Sequence, residues 1–136
     1  MPTLPNVKTF LIADQVFPQA SGKWCVIGVF DRIVAARFPV VHPSLGLFLT
    51  ISDAEGDYEV KVEFRNEESK VLAEFGGIRL TAPHRLATVP FGVQTDNLKL
   101  PAPGRYSFVP YFNGEPVVTG DIHLEAVHLE QGKRRE

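Results

Sequence analysis

The chain has 136 residues, 44% hydrophobic and 22% charged, with a formal net charge of -2 and four histidines. That length and balance describe one soluble globular domain able to bury its own core without a disulfide or a metal, and they give no electrostatic reason to expect nucleic acid or an anionic membrane as a partner. A single cysteine, Cys25, excludes an intramolecular disulfide framework.

The N-terminal residues lack a basic stretch ahead of an apolar run, so they do not resemble a secretory signal. No apolar stretch approaches the length of a membrane span, and a lone cysteine agrees with a reducing compartment. A cytoplasmic protein is expected.

In chain order the apolar runs predict strands near 7–14, 23–30, 45–53, 57–66, 70–75, 85–95, 104–112 and 115–126. The run Val26 to Phe30 predicts a central strand, apolar on both faces, that ends at Asp31-Arg32. From there Phe38-Pro39 to His42-Pro43 predicts a crossover between sheets. Residues 31–37 are the best helical candidate, one or two turns capped by Asp31. Asp53, Glu55 and Asp57 around Gly56 form an acidic turn, read as a hairpin tip and only weakly as a calcium loop.

The clearest strand follows. Tyr58, Val60, Val62 and Phe64 alternate with Glu59, Lys61, Glu63 and Arg65, giving a buried face and a solvated one. Gly76-Gly77 reads as a bulge or bend. Leu98 to Phe108, with its Pro-Gly turn, resembles the entry to a late strand in immunoglobulin-like and fibronectin-like sandwiches, where Tyr106 would bond a nearby backbone group. Pro110 predicts an edge strand or a bulge, because it cannot donate a ladder hydrogen bond. Asn113-Gly114 is the strongest hairpin signal in the chain, since both residues tolerate positive φ. Together these predict an all-β fold: a single antiparallel, immunoglobulin- or fibronectin-like sandwich of about seven or eight strands over residues 1–129, with a disordered polar tail at 130–136.

Motifs for chemistry are sparse. Cys25 sits in an apolar run with no basic neighbour in sequence to lower its pKa, so it reads as a buried structural thiol. No G-x-S-x-G is present, and His42, His84, His123 and His128 lack metal-ligand spacing. No catalytic residue, cofactor or metal is expected; Asp53, Glu55 and Asp57 are the weak metal candidates. Trp24, Tyr58 and Tyr111 are the aromatics available for a sugar platform, although phenylalanines and tryptophan in an all-β chain are mostly core.

Three N-terminal pieces, Leu11-Ile12-Ala13-Asp14, Gly22 to Ile33 and Phe38 to Pro43, together resemble a family of small uncharacterised bacterial proteins, a domain of unknown function. The likeness continues through Gly104 to Phe108 and covers nearly the whole chain. It implies an all-β fold and a bacterial source but no activity. The sequence departs from it at Ala13, where a cysteine would be expected before the aspartate. The polar members of the shared pieces, Asp14, Asp31, Arg32 and His42, are candidates for a ligand or interface site; the favoured reading is that they hold the corner structurally.

The resulting expectation is a non-enzymatic binding or assembly module with a protein partner, including a second copy through a strand edge or sheet face. A carbohydrate- or small-ligand-binding sandwich is the alternative. An enzyme with a cleft around Asp14, Asp31, Arg32 and His42 is a weaker one.

Overall fold

The computed structural model describes residues 4–117 and 120–129, so the expected tail at 130–136 lies outside the described residues. The elements are β1 (Asn6–Pro18), β2 (Trp24–Val29), β3 (Arg32–Ala35), β4 (Val40–Ser52), β5 (Gly56–Arg65), β6 (Val71–Ala82), β7 (Val89–Leu100), β8 (Gly104–Phe112), β9 (Glu115–Pro116) and β10 (Ile122–His128). They form two sheets, a smaller one in the order β2-β1-β4-β7 and a larger one in the order β3-β10-β8-β5-β6, with β9 beside β8. The fold is all-β and sandwich-like, with the larger sheet curling toward a half-barrel.

Alternation builds the core. Tyr58, Val60, Val62 and Phe64 of β5 turn inward, as their spacing predicts, and meet Leu45, Leu47, Leu49 and Ile51 of β4 from the facing sheet. Tyr106, Phe108 and Phe112 of β8 and Leu124 and Ala126 of β10 complete the same cluster. Asn113 and Gly114 take φ of 52° and 83° between the paired residues Phe112 and Glu115, which is the two-residue primed turn expected there. At Gly76-Gly77 the β5–β6 register shifts between Val60 and Val62, a bulge.

The corner tyrosine also forms. The buried Tyr106 hydroxyl donates to the Ala102 carbonyl and accepts from the Ala102 N–H at 3.2 Å. Replacing Tyr106 with phenylalanine should leave the fold intact and cost about 1–2 kcal/mol, the worth of these bonds plus the stranded backbone groups. Urea denaturation would measure it, and an unchanged midpoint would show the hydroxyl to be idle.

Four local expectations are corrected. Residues 31–37 hold no helix: Arg32–Ala35 is a strand that pairs in parallel with β10, and the Glu125 N–H donates to the Asp31 carbonyl. A distant strand edge needing a partner outweighs a weak capping signal. β4 starts at Val40 rather than near Leu45, because its first residues pair with the end of β7 (Val40 with Leu100).

β8 is central, not an edge. Pro110 is accommodated because its carbonyl side faces Val117, whose N–H donates to it at 2.9 Å, beyond the point where β10 pairing ends at Ile122–Phe108. Finally, β2 is an edge strand of the smaller sheet, not a central one.

That edge position follows from a bend in β1. β1 pairs with β4 only as far as Ala13–Gly46; beyond it, β1 and β2 continue together as a hairpin arm. The arm folds over the outer face of the smaller sheet because two positions beneath it have no side chain. A Cβ on Gly46 would lie 2.6 Å from Val16 Cγ2, and one on Gly92 would lie 2.5 Å from Val16 Cγ1 and 2.7 Å from Trp24 Cζ3. Gln94 fastens the arm: its Oε1 accepts the Val16 N–H at 2.9 Å, and its Nε2 donates to the Asp14 carbonyl at 3.1 Å and to Ser44 Oγ at 2.7 Å.

Candidate functional site

The stretch from Val26 to Pro43 crosses from the smaller sheet to the larger at β3 and back at β4, with His42 and Pro43 inside β4 and not in the crossover, and it does not gather its polar residues. Asp14 lies on β1 with its carboxylate against Gly28, whose φ of 75° and missing Cβ leave the room; a Cβ there would sit 2.5 Å from Asp14 Oδ2. Asp31 is exposed and offers its backbone carbonyl to β10. The ring of His42 packs on Phe30 with centroids 5.4 Å apart. Arg32 has its Nε and Nη2 buried without a hydrogen-bond partner. Among the described residues no hydrogen bond or ion pair joins any two of these four side chains.

The three platform aromatics fall in three separate layers. Tyr58 is in the core, edge-on to Phe112, with its hydroxyl bonded to the Glu55 N–H at 3.1 Å. Trp24 lies over the outer face of the smaller sheet beside Phe48, at 6.0 Å. Tyr111 lies on the outer face of the larger sheet, paired with Lys61. The shared platform is therefore corrected to one core ring and two half-buried rings on the outer faces of different sheets.

The acidic turn is likewise divided. Asp53 accepts from Asn6 Nδ2 at 2.7 Å, and Asp57 accepts from Thr81 Oγ1 at 2.8 Å. Among the described residues no group of three or more His, Cys, Asp or Glu is placed to hold a metal ion. Cys25 is half-buried on the edge strand, not interior, and Gln19 Nε2 donates to its Sγ at 2.9 Å.

The densest polar cluster lies elsewhere, on the outer face of β5 and β8, where the alternation predicts only a solvated surface. Glu63 is 7% exposed. Its Oε1 accepts from Arg65 Nε at 3.0 Å, from Arg65 Nη2 at 2.7 Å and from the Tyr111 hydroxyl at 2.8 Å. Lys61 Nζ stands 3.6 Å from Glu63 Oε2 and 4.7 Å from the centre of the Tyr111 ring.

Burial alone would raise the Glu63 carboxyl, but the hydrogen bonds from Arg65 and Tyr111 and the charges of Arg65 and Lys61 outweigh it and hold the group below its ordinary range. Burial, followed by the bond to Glu63, pushes the Tyr111 phenol up. The bond to Glu63 raises Arg65 further. The carboxylate is thus held ionised and the phenol protonated, which makes the cluster a fixed brace at neutral pH. Only the register, Lys61 opposite Tyr111 and Glu63 opposite Val109, puts these residues together.

The second distinctive surface is the arm. Paired residues share a face, so Val29 and Ile27 of β2 line up with Phe17 of β1. They are 60%, 50% and 40% exposed. The opposite face of the arm carries Val16 and Trp24, which pack onto the sheet.

A family model described as a family of unknown function, DUF6941, matches residues 8–125. No curated protein matches the chain. No helix among the described residues is long and apolar enough to cross a membrane.

Proposed function

The chain belongs to DUF6941, a family of unknown function, and we propose that it is a non-enzymatic assembly module that pairs the free edge of β2 with a strand of another protein chain. The observation that carries this reading is the unprotected edge. Sheet edges invite pairing, and proteins blunt them with charges, prolines or bulges. Among the described residues β7 carries Pro90, Asp96 and Lys99, β6 carries Glu74, Arg79 and its bulge, and β3 carries Arg32. Among the described residues β2, with the sequence WCVIGV, is the one sheet-edge strand with neither charge nor proline, its irregularity being Gly28 with φ of 75°.

A second copy is the partner this chemistry fits best. Two uncharged strands meeting antiparallel across a two-fold axis set no like charges opposite one another, and each brings its own Ile27 and Val29 row. The strand has six residues, so pairing through it alone falls short of the ~800 Å² per partner typical of stable complexes. Weak self-association is therefore expected. Sedimentation velocity between about 10 µM and 1 mM should show a concentration-dependent shift toward dimer. The double variant Ile27→Lys, Val29→Lys should remain monomeric with an unchanged melting temperature. A wild-type chain that stays monomeric throughout would contradict the reading.

A further inference from the structure

Independently of the β2 edge, we infer that a groove on the outer face of the larger sheet, centred on Ser107, is a binding site for an oxyanion, the carboxylate or phosphate group of a small ligand. The groove has a volume of about 570 Å³. Its plan follows from the register. Arg65 pairs with Ser107, and Ser107 pairs with His123, so the three stand in one row across β5, β8 and β10. Paired side chains on one face begin only ~5 Å apart. Arg105 and Val109 flank Ser107 along β8, and Val109 is buried. A short hydroxyl side chain thus forms the floor, with three long nitrogen-bearing side chains around it.

The hydrogen bonds already made decide what the groove can accept. One acceptor is engaged, since Glu67 Oε1 takes the Arg105 N–H at 2.7 Å, and Asp121 Oδ2 lies 3.7 Å from His123 Nε2. The donors are largely unengaged. Among the described residues the Arg105 guanidinium and the Ser107 hydroxyl have no bonded partner, and Arg65 keeps its Nη1 outside the Glu63 network.

A ligand that completes this set has to bring acceptors. A planar carboxylate or a phosphate matches the guanidinium fork in geometry as well as charge. Glu63 and Tyr111 hold Arg65 in place, so no side-chain freedom is lost there on binding. Glu63 beside Arg65, Glu125 opposite Arg105, and Glu67 and Asp121 outnumber the two arginines, so recognition rests on directed donors and not on net field.

The test is a titration of the isotope-labelled full chain followed by amide NMR. Sodium phosphate and sodium succinate form separate arms, with sodium chloride at matched ionic strength and neutral glucose as controls. Saturable shifts centred on Arg105, Ser107 and His123 are expected in one or both oxyanion arms. Arg105→Gln should weaken binding about tenfold or more, and Arg105→Lys should also weaken it because a point charge lacks the fork. Arg105 is exposed, so both variants should keep the wild-type spectrum elsewhere. Response to phosphate alone or to succinate alone identifies which oxyanion the site takes. Shifts no larger than with chloride, a response to glucose only, or undiminished binding by Arg105→Gln would overturn the proposal.

Discussion

Replacing Glu63 with alanine should destabilise the fold by about 2–3 kcal/mol, lowering the melting temperature by roughly 10 °C. The carboxylate itself is not the main loss. Removing it takes the shared acceptor from the Arg65 guanidinium and the Tyr111 hydroxyl and leaves them only the bond from Arg65 to the Tyr111 oxygen, and donors left short of an acceptor cost more than the bonds they made. The figure stays below that of a fully interior ion pair because Arg65 retains some contact with water.

Glu63→Gln separates charge from shape. The folded-state carboxyl lies below its ordinary value of 4.5, so the ionised form contributes stability above the unfolded pKa and loses it as pH falls through the lower, folded value. The stability gap between wild type and Glu63→Gln should therefore be widest near neutrality and shrink on acidification. Denaturation at a series of pH values checks this, and a gap independent of pH would mean the charge contributes nothing.

Phe64→Ala should cost more, about 4 kcal/mol, because it opens a cavity where the two layers meet. The ring is fully buried, lies nearly parallel to Tyr106 with centroids 5.1 Å apart, and tilts against Phe108 at 4.9 Å. Its loss also removes the surface on which Tyr106 rests while bonding Ala102, so the corner should loosen with the core. Phe64→Leu, which keeps much of the volume, should cost only about 1.5 kcal/mol. Urea denaturation of both variants gives the comparison. Equal losses would mean that the site collapses to fill either gap.

The features legible in the sequence are those whose determinants are local. β5 declares itself through alternation within one strand, the primed turn through Asn113-Gly114, and the corner through a tyrosine that bonds four residues back. The features missed depend on register or on distant partners. Nothing near Arg32–Ala35 announces that β10 will pair with it. Glu63 reads as one of a row of solvated charges until Tyr111 is placed beside Lys61.

β2 misleads for a related reason. A strand apolar on both faces suggests full burial, yet here one face packs on the sheet while the other, with Ile27 and Val29, meets solvent. Periodicity reports which residues avoid water and cannot say whether another chain supplies the cover. That discrepancy between pattern and exposure is also the ground for the assembly reading.

The most direct measurement of that reading is an isotope-filtered NOE experiment on a concentrated one-to-one mixture of labelled and unlabelled chains, which detects only contacts between copies. Intermolecular cross-peaks are expected among residues of β2, centred on Ile27 and Val29, and should disappear in the Ile27→Lys, Val29→Lys variant. Cross-peaks confined to any other surface, or none at concentrations where the chain is dimeric, would contradict it.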